Sequence, residues 1–112
     1  MTIYHNPRCT KSRQTLALIE EKGANFVVKE YLKNPPTKDD LKKVVSLLGI
    51  KPSELIRKGE AEFKENFKGK ELSDDEWIDA MIAYPKLIER PIVIHENKAV
   101  IGRPPENVLD IL

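Results

Sequence analysis

The residues best equipped for chemistry lie in one short stretch, Ile3–Ser12, which reads Ile-Tyr-His-Asn-Pro-Arg-Cys-Thr-Lys-Ser. Cys9 is the only cysteine in the chain, and it sits between a short apolar run and the start of a helical pattern. A thiol in that position faces backbone N–H groups that no helical carbonyl satisfies, and also the positive end of the helix dipole. Both favour the thiolate, which is the nucleophilic form. Arg8, Lys11 and Arg13 add cationic charge in the same stretch. A lone cysteine also serves as a small buried hydrophobe, but the helix start and the cations argue for a reactive one. His5 ends the apolar run. It either supplies a hydrogen bond or a charge that lowers the thiol pKa, or is simply satisfied at a strand end.

Three arginines outside this stretch bear on the same chemistry: Arg57, Arg90 and Arg103. Arginine suits planar or tetrahedral oxyanions, because its fork donates paired hydrogen bonds and never deprotonates. Taken singly, each also reads as a solvated surface charge. Arg90 and Arg103 each precede a proline, which biases their backbones toward extended geometry. In a small sheet, strand ends of this kind can converge on the loop after the first strand. His95, beside a turn, reads as a surface residue. With two histidines and one cysteine in the chain, a zinc site of the usual four ligands is not expected.

The elements that must position these groups follow from the hydrophobic pattern. Thr2–His5 is a strand, and a helix runs from about Thr10 to Lys22, with Gly23 as its stop. Phe26–Val28 is rich in strand formers. A strand–helix–strand unit of this length implies a right-handed crossover and a parallel pair. After the extended connector Tyr31–Pro36, Thr37 caps a helix bearing Leu41, Val44, Val45 and Leu48, which ends at Gly49. Pro52–Arg57 is a short helix, and Glu60–Leu72 a partly exposed helix and loop. Ser73–Glu76 is a capping box opening a helix that carries Trp77, Ile78, Met81 and Ile82 and stops at Pro85. Pro91–His95 and Lys98–Ile101 are strands around the hairpin turn Glu96-Asn97. Pro104-Pro105 opens a last helix through Val108, Leu109 and Leu112. The order predicts one α/β domain, residues 1–112, with a helical insertion over about 37–84 between two halves of a small mixed sheet.

Composition narrows the function classes. A 112-residue chain with 40% hydrophobic and 33% charged residues fits one globular domain. A net charge of +1 argues against a nucleic-acid-coating protein. One cysteine excludes an internal disulfide framework. Neither a signal-peptide pattern nor an apolar run of about 20 residues is present, so we expect a cytoplasmic protein without a membrane partner.

The sequence resembles the glutaredoxin-linked arsenate reductases. The resemblance rests on Tyr4-His-Asn-Pro-Arg-Cys9-Thr-Lys-Ser-Arg13, Tyr31-Leu-Lys-Asn-Pro-Pro36, Leu55-Ile-Arg57, Arg90-Pro-Ile-Val93, Arg103-Pro104 and Val108-Leu-Asp-Ile-Leu112. These occur in order from near the N-terminus to the last residue. The resemblance implies a thioredoxin-like fold with a helical insertion, Cys9 as the nucleophile toward arsenate, and Arg57, Arg90 and Arg103 as oxyanion ligands. It places His5 where the family has a histidine thought to tune the cysteine, and it implies a cis peptide before Pro91. It further implies glutathione as thiol co-substrate, glutaredoxin as partner and no tightly bound cofactor; we expect a monomer. Two other readings stay open. One is a glutathione-dependent thiol oxidoreductase without arsenate activity. The other is a regulator of the Spx type that binds RNA polymerase, although Ser12 stands where such proteins often have the second cysteine of Cys-x-x-Cys.

Overall fold

The computed structural model describes every residue, Met1–Leu112, and divides into two compact units. The first comprises Met1–Asn34 with Arg90–Leu112, and the second is Pro35–Glu89.

The first unit is built on a four-stranded sheet. Strand β1 (Thr2–Tyr4) leads into helix α1 (Thr10–Glu21), which returns to β2 (Val27–Lys29); β3 (Ile92–His95) and β4 (Lys98–Ile101) form a hairpin. The strand order is β2-β1-β3-β4. β1 and β2 are parallel, as a helical crossover requires, and β1 pairs antiparallel with β3, Ile3 opposite Val93. The hairpin reverses through Glu96, whose φ of 58° is the left-handed geometry of a tight turn. Ile3, Ile19, Val93, Val108 and Ile111 form the core between sheet and helix.

Three local features of this unit depart from the sequence pattern. The second strand is shifted one residue toward the C-terminus, and as an edge strand it leaves Val27 and Val28 exposed. The last helix is a 3₁₀ helix, Pro105–Ile111. At three residues per turn it buries Pro105, Val108 and Ile111 in one row, and Leu109 and Leu112, expected on the apolar face, are exposed instead. His95 is not a bare surface residue: its Nδ1 lies 2.5 Å from the carbonyl oxygen of Ile111, tying β3 to the C-terminal turn.

The second unit holds α2 (Lys38–Leu48), a 3₁₀ turn at Pro52–Leu55, α3 (Ala61–Asn66), α4 (Asp74–Ala83) and a 3₁₀ turn at Pro85–Leu87. Both longer helices start with reciprocal capping boxes, Thr37 with Asp40 and Ser73 with Glu76. Gly49 closes α2 at φ 68°, a conformation that glycine adopts without cost. α4 packs against α2 and both 3₁₀ turns, burying Trp77, Ile78 and Met81. Phe63 and Phe67 gather on Trp77, with ring centroids 6.1 and 6.0 Å from it.

Gly102, between β4 and Arg103-Pro104, is closely approached by Thr15 of α1 and by Pro91. A Cβ there would lie 2.5 Å from Thr15 Oγ1 and 2.8 Å from Pro91 Cγ. Gly102→Ala should therefore destabilise the protein by roughly 1–3 kcal/mol, as overpacking typically does. Thermal unfolding checks this, and an unchanged midpoint would contradict the close packing of α1 on the entry to β3.

Candidate active site

Asn6 turns the chain out of β1 and Cys9 starts the helix. The Asn6 carbonyl accepts the Cys9 N–H at 3.0 Å, and the Asn6 side-chain oxygen accepts the Arg8 N–H at 3.0 Å. Cys9 occupies the N-cap of α1 with extended backbone, φ −94° and ψ 123°. Arg13 braces the loop from the helix, its guanidinium donating to the Pro7 carbonyl at 2.8 Å and to Thr10 Oγ1 at 3.3 Å. Arg13 is thus a strut for the cysteine loop.

Cys9 is 7% exposed. Burial alone pushes its thiol pKa up, but the N–H of Ser12, the charge of Arg90, the N–H of Lys11 and the charge of Arg103 together outweigh it. The net result is a thiol held below its ordinary value. No side-chain cap hydrogen bond of ordinary geometry forms at this N-cap, so the two N–H groups act on the sulfur as dipoles at the positive end of the helix. The contribution of Lys11 is through its backbone.

The two proline-flanked arginines converge as their strand ends suggest. Arg103 Nη2 lies 3.5 Å from Cys9 Sγ, and Arg103 Nε donates to the Arg90 carbonyl at 2.7 Å. Both Arg90-Pro91 and Arg103-Pro104 are cis; the resemblance implied only the first. Both arginines enter from the β3–β4 side of the sheet, and Cys9 starts α1 after the loop that leaves β1, the strand beside β3.

His5 is buried and meets Ser12: its Nδ1 is 2.6 Å from Ser12 Oγ, which also accepts the Asn6 N–H at 3.0 Å. Burial lowers the His5 pKa, with Glu30 opposing and Arg13 reinforcing the shift. A histidine held below its usual value is neutral near pH 7, so His5 brings hydrogen bonding and not charge. Ser12 is the residue that the sequence pattern undervalued. It is fully buried at the third position of α1, and it joins His5, Asn6 and the N–H that faces the sulfur. Its place three residues after an N-cap cysteine was the available signal, because that position supplies a free N–H.

Arg57 belongs to the second unit. It follows the Pro52–Leu55 turn, where Ile56 and Ile88 form an isolated bridge, and its N–H donates to the Leu87 carbonyl at 2.7 Å. Its guanidinium pairs with Glu60 through Nη1 and lies 3.8 Å from Glu89 through Nε.

The ArsC family model matches residues 4–111, nearly the whole length. The chain belongs to the ArsC family. Among ArsC relatives, an arsenate reductase of Haemophilus influenzae is 44% identical over 112 residues, covering 98% of this chain and 97% of that protein. YfgD of Escherichia coli K12, which is uncharacterised, is 47% identical over 112 residues, covering 98% and 94%. The structure of an arsenate reductase from Vibrio cholerae superposes with a TM-score of 0.94 at 46% identity, covering 100% of this chain and 98% of that one. The thioredoxin-like fold with a helical insertion is therefore that of the ArsC family.

The site makes a quantitative demand on the thiol. The alkylation rate of Cys9 against pH should show a midpoint below the ~8.5 of a free cysteine. Arg103→Ala and Arg90→Ala should each move that midpoint upward, since each removes a positive charge acting on the sulfur. A midpoint at or above the free value would contradict thiolate stabilisation.

Proposed function

We propose that the protein is an arsenate reductase acting through a covalent Cys9–arsenic adduct that an external thiol resolves. The observation that carries this reading is the buried Cys9 sulfur at the start of α1, with Arg103 3.5 Å away and its pKa held down. Groups that favour a thiolate also favour an incoming tetrahedral oxyanion. The arsenate reductases among its relatives support the choice of arsenate.

The Cys9 thiolate attacks arsenic, a sulfur–arsenic bond forms, and one arsenate oxygen leaves as water. Arg90 and Arg103 neutralise the oxyanion, and Arg57 joins them by its place in the family motif. Its guanidinium is engaged by Glu60 and Glu89, so anion binding there competes with two carboxylates. The Ser12–His5 pair holds the start of the helix in place. The chain has no second cysteine, so the adduct is resolved from outside. Glutathione thiolate attacks the Cys9 sulfur, and the sulfur–arsenic bond breaks with its electron pair going to arsenic. Arsenic(V) becomes arsenic(III) and leaves as arsenite, and Cys9 is left as a glutathione mixed disulfide. Glutaredoxin thiolate takes the glutathionyl group and regenerates Cys9. A free thiol nucleophile suits a reducing compartment, the cytoplasm.

Arsenate-dependent NADPH oxidation, coupled through glutathione, glutaredoxin and glutathione reductase, tests the assignment. Wild-type protein should turn over and Cys9→Ser should be inactive. In the Cys9→Ser background, Arg57→Ala, Arg90→Ala and Arg103→Ala should each weaken arsenate binding by at least about tenfold, since charged hydrogen bonds contribute ~1.5–3 kcal/mol. Melting temperatures that fall while anion affinity holds would make these arginines structural.

A further inference from the structure

The start of α1 is charged against the rule that the other long helices follow. α2 opens with Asp39 and Asp40, and α4 with Asp74, Asp75 and Glu76, carboxylates that suit the positive end of a helix dipole. The first turn of α1 has no acidic residue. It carries Lys11 instead, with Arg8 just before the N-cap and Arg13 two residues further on. No acidic residue precedes Glu20 in the chain. Cations at a helix N-terminus oppose the dipole, so this clustering works against the stability of α1.

Arg13 is accounted for as the strut that reaches Pro7 and Thr10. Arg8 and Lys11 are not. Both are exposed, and neither side chain makes a hydrogen bond, an ion pair or a ring contact. The charges that act on the Cys9 thiol are those of Arg90 and Arg103, and Lys11 acts on it only through its N–H. Neither the helix nor the thiol therefore needs these two side-chain charges. Yet they flank the nucleophile, one residue before it and two after it. Arg103, also exposed, lies 3.5 Å from the sulfur, and all of these residues belong to the first unit.

We propose that Arg8 and Lys11 are steering residues for Cys9, exposed cations that draw a small oxyanion to the cysteine loop before Arg103 receives it at the sulfur. This rests on the reading that Cys9 takes an anionic substrate. Free surface cations beside a reactive group raise the local concentration of anions and their rate of encounter, and salt screens the effect. Their exposure suits that task, since a charge that only gathers anions needs no fixed geometry.

Competition between iodoacetate, an anion, and iodoacetamide, which is neutral, tests this at Cys9 without arsenate. Both reagents alkylate the same thiolate, so a change in the thiolate fraction cancels in the ratio of their rates. Relative to free cysteine, wild-type protein should favour iodoacetate, and added salt should reduce that preference. Arg8→Gln and Lys11→Gln should each lower the ratio about twofold at low salt, the effect of one charge roughly 10 Å away in water. The double reversal Arg8→Glu with Lys11→Glu should lower it about tenfold, and Arg8→Lys with Lys11→Arg should retain it. With arsenate, the neutral variants should lose kcat/KM at unchanged kcat. Lys11→Glu should also melt at a higher temperature than wild type; a lower one would overturn the argument that Lys11 is kept against the needs of the helix. An unchanged ratio in the double reversal would overturn the steering role, even if the same variant reacted more slowly with glutaredoxin, an outcome that would assign the two cations to docking a protein. A charge-dependent ratio in a protein without arsenate turnover would uphold steering and overturn only the choice of arsenate.

Discussion

The site depends on offsetting the cost of burying one thiol, so that its pKa falls below the ordinary value. Desolvation opposes a thiolate, and in Cys9 it is the largest single influence on the pKa. Each unit of pKa corresponds to about 1.4 kcal/mol between the two protonation states, so several weaker favourable effects must act together. They come from chain segments far apart in sequence: the backbone of Lys11 and Ser12, and the guanidinium groups of Arg90 and Arg103. The rest of the first unit holds these segments in register. β1 delivers the loop and α1 supplies the dipole, while the hairpin β3–β4 carries an arginine at each end. Gly102 admits α1 close to the entry of β3, because its missing Cβ leaves room for Thr15 and Pro91.

The loop itself is held by small polar contacts. Arg13 ties Pro7 back to the helix, Asn6 closes a turn on Arg8, and Ser12 joins His5 to the Asn6 backbone. Ordering such a segment costs conformational entropy, which these local hydrogen bonds offset before any ligand arrives. In the second unit the same economy appears at the helix ends. Capping boxes at Thr37 and Ser73 satisfy N–H groups within the chain, and Arg57 is balanced by Glu60 and Glu89.

Much of this was legible in the residues, for reasons that differ from one element to the next. The crossover β1–α1–β2 followed from spacing alone, and Thr37, Gly49 and Ser73 marked helix ends because their roles are local. The approach of Arg103 and Arg90 to Cys9 was suggested by proline-flanked strand ends, but it depends on pairings such as Tyr4 with Ile92 that no local pattern fixes. The 3₁₀ form of Pro105–Ile111 was hidden because Leu109 and Leu112 look as apolar as the residues that are buried. The exposure of Val27 and Val28 reflects the edge position of β2, a property of the whole sheet. Ser12 was the least visible of all: its importance lies in meeting His5 in space, across a turn that carries no periodic signal.

The central claim is that Cys9 attacks arsenate and that a thiol from outside the chain completes the reduction. Intact-protein mass spectrometry after single turnover tests it most directly. With arsenate and glutathione, the account predicts a Cys9–glutathione mixed disulfide that glutaredoxin removes, and no such species in Cys9→Ser. Full multiple turnover supported by thioredoxin in the absence of glutathione would contradict the account.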